Sequence, residues 1–490
     1  MTLRLAGKPL GPRAGDILVG QWTILPKQAS NGPMVQRRFA SSQSQRRPAS
    51  TLQVQADAAP QTVSYPLSVI PLRVLLRSLL VATISSKPLL LHSSLWVMSI
   101  LSKPNRGFLL NVDRNPILHG ILKKTFYEQF CAGENAAETK ATIKELKNMG
   151  FRGVIMTYAK ETVFDHRTKT EQGLGVAALE SKQAGKDLDP ALFRCANIEA
   201  WRKGTMETVE QLEDGDYLAV KVTGAGPTVT EAFSKGELPP QQMIDAMDEI
   251  ATRCKERKVR ILVDAESQHF QTGIARLTLD LMRKFNRDGY AVVYNTYQAY
   301  LKKTPETLAR HLSAALEEGF TLGLKVVRGA YMASDERSLI LDTKQQTDDQ
   351  YNGIAQGALK QNIGEFGSTK PWPSVNLFLA SHNRDSVMSA HQLHKQRTAA
   401  GLPTVPVGFA QLHGMSDEVS FSLLQLKEAD GTPEVYKCST WGGMGECLAY
   451  LLRRAIENRD AVLRTTDEYN ALKAEFGRRF RSAFSFSTQK

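Results

Sequence analysis

The chain has 490 residues, 42% of them hydrophobic and 23% charged, a globular balance with enough length for one large barrel or two to three smaller domains. Its net charge of +12 suggests a nucleic-acid-binding surface until it is followed along the chain. Residues 1–112 carry 13 Lys and Arg against only Asp16 and Asp57, a net of +11, which leaves residues 113–490 at +1, so no nucleic-acid partner is expected. Cys131, Cys195, Cys254, Cys438 and Cys447 form no CxxC and have no paired His at metal spacing, and His391 and His394 form the only short-spaced His pair. They read as buried reduced thiols, and no metal site is expected.

The first fifty residues are rich in Arg, Ser, Gln and Pro and end in "MVQRRFASSQSQRRPAS". Residues 1–41 are therefore expected to be a mitochondrial transit peptide, cut between about Phe39 and Ser42. Residues 42–112 form a basic, apolar helical arm whose Tyr65–Leu101 stretch is broken by Arg73, Arg77 and Lys87. Its uncharged runs, Ser78–Ser86 and Pro88–Ser102, are shorter than a bilayer span. The arm suits either packing on the main domain or lying on an anionic membrane surface.

From Asp113 onward, short β-branched runs alternate with amphipathic helical stretches. Strands are expected at 153–158, 216–223, 259–266, 290–297, 322–331, 374–381, 404–411 and 433–438, with helices such as Ala309–Glu318, Asp385–Gln396 and Met444–Asn458. Each strand is apolar almost throughout, as in a parallel sheet covered on its outer side. Eight such units predict a (βα)8 barrel over residues 113–490, preceded by the helical extension. A doubly wound sheet is the runner-up, but GxGxxG is absent.

In such a barrel the chemistry sits at the carboxyl ends of the strands. Those ends carry Lys221, Asp264 and Glu266, Gln298, Lys325 and Arg328, His382 and Asn383, Gln411 and His413, then Tyr436. Several cations on one rim with few acids describe an anion-accepting site. Lys221 lies in an apolar run, where an unpaired ammonium is costly; a carboxylate partner, a Schiff-base nucleophile or a snorkelling side chain would each account for it. After the last strand, "YLLRRAIEN" puts Tyr450, Arg453, Arg454 and Glu457 on one helical face. That face is either a solvated surface with an Arg453–Glu457 pair or a two-armed carboxylate clamp.

The motifs "ILVDAESQHFQTGI", "YNTYQAYLK", "LKVVRGAYM", "ASHNRDSV", "FAQLHGM" and "VYKCSTWGGMGECLAYLLRRAIEN" occur in the order found in proline dehydrogenases, and the chain resembles the mitochondrial, fungal-type branch of that family over about residues 60–480. The resemblance implies a barrel that holds FAD, oxidises L-proline to Δ1-pyrroline-5-carboxylate and passes electrons to a membrane quinone on the matrix side of the inner membrane. Carried over by motif, Arg453, Arg454 and Lys221 would bind the proline carboxylate, Tyr436, Tyr450 and Leu412 would surround the ring, Asp264 would hold that side of the pocket and Glu457 would orient the arginines. Gln298, Lys325, Val327, Arg328, Gly329, Ala330, His382 and Asn383 would line the flavin. The chain departs from many relatives at "STWGGMG", where VPYG or APVG is usual, so closure over the substrate is expected to differ there. "ASHN" stands for the commoner ATHN, and residues 166–192 carry no assigned element.

Overall fold

The computed structural model describes residues 65–102, 107–158, 160–166, 168–174, 194–426, 432–460 and 462–485. The expected transit peptide at 1–41 and the first part of the arm, 42–64, lie outside them. Ten strands are present: β1 Gly153–Tyr158, β2 Glu161–Asp165, β3 Thr170–Leu174, β4 Tyr217–Val220, β5 Arg260–Val263, β6 Val293–Gln298, β7 Leu322–Val327, β8 Val375–Ala380, β9 Val407–Leu412 and β10 Val435–Trp441.

Eight of them close a parallel barrel in the order β1-β10-β9-β8-β7-β6-β5-β4, so each of the expected strands is found and the doubly wound alternative is excluded. The remaining two, β2 and β3, form an antiparallel hairpin after β1, within and just before the stretch left unassigned from sequence. The barrel is filled from both ends of the size scale. Tyr217, Tyr294, Phe378 and Tyr436 meet inside it, with Tyr217 to Tyr436 ring centroids 5.0 Å apart, beside the small Ala219 and Ala410. Gly408 makes room for those rings: a Cβ there would lie 2.9 Å from Phe378.

Outside, helices Ala196–Val209, Gln241–Glu256, Gln271–Phe285, Thr304–Glu318, Lys344–Lys360, Arg384–Ala399, Asp417–Leu424 and Met444–Asp460 follow the strands in turn. Thr343 starts one of them with a reciprocal capping box to Gln346, and Asn383 caps another through the Ser386 N–H.

The described part of the arm consists mainly of helices Leu72–Ser86 and Pro88–Leu101, bent by 101° at Lys87, where Pro88 begins the second. It packs on the main domain: Leu75, Leu91, Met98 and Leu101 are buried. Among the described residues no single helix is long and apolar enough to cross a membrane. A final helix, Val462–Ser485, lies beside the first arm helix, and Arg479 Nη2 donates to the Ile70 carbonyl at 2.8 Å.

Candidate active site

Three charges from three strand ends meet at the mouth. Asp264, just beyond β5, accepts Lys325 Nζ of β7 at 2.7 Å and lies 3.4 Å from Lys221 Nζ beyond β4. Burial would raise the Asp264 carboxyl, but the two lysines overcome it and hold the group below the usual carboxylate range. Lys221 thus has the carboxylate partner its apolar setting calls for. Lys325 and Arg328 leave β7 on opposite faces, as their spacing predicts. Lys325 turns to the mouth, while Arg328 donates to Asp348 at 2.7 Å, Ser381 at 2.6 Å and Ser386 at 2.9 Å, with its guanidinium 4.3 Å from the Tyr351 ring centre. Arg328 therefore braces the β7 and β8 exits against the outer helices.

Gln298 ends β6 fully buried, its Nε2 donating to the Glu266 carbonyl at 3.4 Å. Glu266 is also buried and accepts the Thr223 hydroxyl and backbone N–H. Val327 is half-buried; Gly329 and Ala330 are exposed beyond it. Gly329 adopts a φ of +142°, and a Cβ there would lie 2.3 Å from Tyr300, so a glycine is required. His382 and Asn383 follow β8, with the Asn383 side-chain oxygen taken up as a helix cap.

Across the mouth runs helix Met444–Asp460. Arg454 is 6% exposed and its guanidinium lies 4.9 Å from the Tyr450 ring centre; Arg453, on the same turn, is half-buried. A solvated helix face does not bury an arginine in this way. Leu412, at the end of β9, packs in the same cluster as Tyr450, Leu448 and Leu451. Glu457 lies on this helix, with its side chain outside the described residues.

Tyr436 sits elsewhere than expected. It pairs with Gly153, the first residue of β1, and its hydroxyl donates to Glu434 at 3.1 Å, so it belongs to the barrel floor. The β10 side chain nearer the mouth is Cys438, two residues or about 7 Å further along. Burial raises its thiol to about 11, with Asp264 adding to the rise and Lys325, Arg454 and Lys221 opposing it. His413 faces away from the mouth, lining a small cavity with Arg77 and Lys437. Burial and those two cations lower its pKa to about 3, so it is neutral. Gln411 is buried and donates to the Ser381 carbonyl at 3.1 Å.

The hairpin reaches the rim as well. The Thr162 N–H donates to the Thr223 hydroxyl at 2.9 Å, Phe164 stacks on His269 at 3.9 Å, and the His166 N–H donates to the Ser334 carbonyl at 3.0 Å. The hairpin and Cys438 are the parts of the site that sequence reasoning missed. Among the described residues, no group of three or more His, Cys, Asp or Glu could hold a metal ion.

A family model described as proline dehydrogenase matches residues 139–466. The chain belongs to the proline dehydrogenase family. A probable mitochondrial proline dehydrogenase of Schizosaccharomyces pombe is 27% identical over 433 residues, covering 80% of this chain and 85% of the relative. A hydroxyproline dehydrogenase of Bos taurus is 30% identical over 401 residues, covering 73% and 82%. Among solved structures, proline utilization A from Bdellovibrio bacteriovorus, inactivated by N-propargylglycine, aligns with a TM-score of 0.57 at 15% identity. That alignment covers 77% of this chain and 38% of the longer one, and it shows a shared fold.

Proposed function

We propose that this protein oxidises L-proline to Δ1-pyrroline-5-carboxylate with FAD held at the barrel mouth, passing electrons to a membrane quinone on the matrix side of the inner mitochondrial membrane. The observation that carries this is the buried Arg454 beside Arg453, on the helix that follows the strand whose Cys438 shares its surroundings with Lys221, Asp264 and Lys325.

The donor set fits a flavin dinucleotide. Gln298, Lys325, His382 and Asn383 bring donors to the β6, β7 and β8 exits, and Val327, Gly329 and Ala330 leave backbone open beside them, suited to the acceptors of an isoalloxazine and a diphosphate. FAD, when bound, accepts the hydride equivalent from the proline ring. The chain's own residues do the rest. Arg453, Arg454 and Lys221 bind the carboxylate and so orient the ring, Tyr450 and Leu412 exclude water from its apolar side, and Asp264 fixes both lysines. The proline amine can lose its proton to solvent, so no dedicated base is required.

For the membrane partner, support comes from exposed Leu89 and Trp96 on helix Pro88–Leu101, in an arm with no acid between Asp57 and Asp113, and from exposed Ile117 and Ile121 on the short helix Pro116–Leu122 just beyond it. Relatives named as mitochondrial and the basic N-terminus support the location. A cofactor-free Schiff-base enzyme using Lys221 is disfavoured, because Lys221 is engaged in an ion pair with Asp264 at 3.4 Å.

The test is a visible spectrum of the purified chain, followed by L-proline added without oxygen. A flavin spectrum that bleaches supports the reading. A colourless protein trapped by borohydride with a carbonyl compound, or a flavin that proline leaves oxidised, refutes it.

A further inference from the structure

The turn between β10 and the arginine-bearing helix, residues 441–445, is held by a segment more than three hundred residues earlier in the chain. The Ala132 N–H donates to the Thr440 carbonyl at 2.8 Å. Gly442 is gripped through both backbone groups: its N–H donates to the Gly133 carbonyl at 3.0 Å, and its carbonyl accepts the Tyr127 hydroxyl at 2.6 Å. Two carboxylates then cap the helix. The Met444 N–H donates to Glu134 Oε1 at 3.1 Å, and the Gly445 N–H to Asp113 Oδ1 at 3.0 Å. Each satisfies a donor that a helix start leaves without an internal partner, and each puts negative charge at the positive end of the helix dipole.

Glu134 is itself fixed, because its Oε2 accepts Lys123 Nζ at 2.6 Å and meets His119 Nε2 at 3.1 Å. Asp113 comes so close that a Cβ at position 445 would lie 2.3 Å from its Oδ2. A glycine at 445 is what lets the Asp113 carboxylate reach the helix start.

We propose that Asp113 and Glu134 are positioning residues for the substrate, setting the tilt of helix Met444–Asp460 and thereby the place where Arg453 and Arg454 present their guanidiniums. The proposal rests on reading those arginines as the carboxylate clamp. Ten residues of helix from cap to clamp make a lever of about 15 Å, so a tilt of about 5° moves the clamp by about 1 Å. A displacement of that size at a substrate-orienting group can change turnover efficiency by as much as about a hundredfold.

The experiment uses the full chain and the variants Asp113→Ala, Glu134→Ala and Asp113→Asn, with hydrogen exchange of amides 443–448, flavin content and steady-state kinetics with L-proline. The two alanine variants are expected to exchange faster, to raise KM about tenfold with kcat within about twofold, and to keep their flavin. Asp113→Asn, whose side chain caps as well as aspartate, is expected to restore both exchange and KM. Faster exchange with an unmoved KM overturns the proposal, as does a raised KM that Asp113→Asn fails to restore. Absence of proline turnover by the unaltered protein refutes the clamp reading itself, and the exchange data then separate that failure from a failure of the caps.

Discussion

Replacing Asp264 by Asn removes a carboxylate that both mouth lysines face. Lys325 and Lys221 have side chains only 11% and 13% exposed, so the change puts a neutral amide where two largely desolvated ammonium groups meet a carboxylate. Breaking a fully buried pair costs about 3–5 kcal/mol; because these groups keep some solvent contact, about 3 kcal/mol is the expected loss. For a folded unit of about 400 residues that lowers Tm by about 3–4 °C. The sign with pH follows from the depressed Asp264 pKa. The stabilisation is fully present above the unfolded carboxylate value, about 4, and fades as pH falls through the lower folded value. Urea unfolding of both proteins at pH 7.5 and at a series of pH values below 4 is the assay, with a gap at the first that narrows along the series. An Asp264→Asn protein as stable as the unaltered one at pH 7.5 would show that the three charges do not share a desolvated site.

Other expectations concern single groups. Arg454→Met should raise the KM for L-proline strongly while flavin content, measured after denaturation, stays near normal; loss of flavin instead refutes the clamp. The Cys438 thiol, half-buried but raised to about 11, should resist iodoacetamide at pH 8 and react only as pH approaches that value, which peptide mass spectrometry follows; ready labelling at pH 8 contradicts the environment described for Cys438. Glu468 of the C-terminal helix is raised to about 7 by burial and by Asp417, against backbone N–H bonds from Ser416 and Asp417. Its folded pKa exceeds the unfolded value, so its contribution is greatest at low pH and is lost as pH rises through about 7. Protection against exchange across residues 462–485, measured relative to the intrinsic rate at each pH, should fall between pH 6 and 8, and Glu468→Gln should remove that fall.

The barrel was legible because a strand covered on both faces must be apolar at nearly every position, which leaves few ways to read runs such as "RILV" or "VNLFLA". The mouth charges were legible for the converse reason, since a lysine in such a run needs a partner. The hairpin was not. Its turn places Lys169 in the left-handed region, with φ +56°, where Gly or Asn would have announced a turn. The caps on the arginine helix were equally hidden, because nothing in "NVDRN" marks Asp113 as the neighbour of a glycine three hundred residues away.

Tyr436 shows where one-dimensional reasoning stops. Alternation along β10 sends residues 436 and 438 inward alike, so polarity and size cannot say which reaches the substrate. Depth along the axis is set by how each strand is staggered against its neighbours. Tyr436 pairs with the first residue of β1, while Cys438 pairs with Leu412, the last residue of β9. The stagger therefore sends the tyrosine to the floor and leaves a small thiol beside Asp264, Lys325 and Arg454. On the proposed reading of the site, the ring's aromatic neighbour then comes from the helix beyond, where Tyr450 lies against Arg454. The proposed aromatic surface and cationic grip would thus stand on one element, and the placement of that element would decide both.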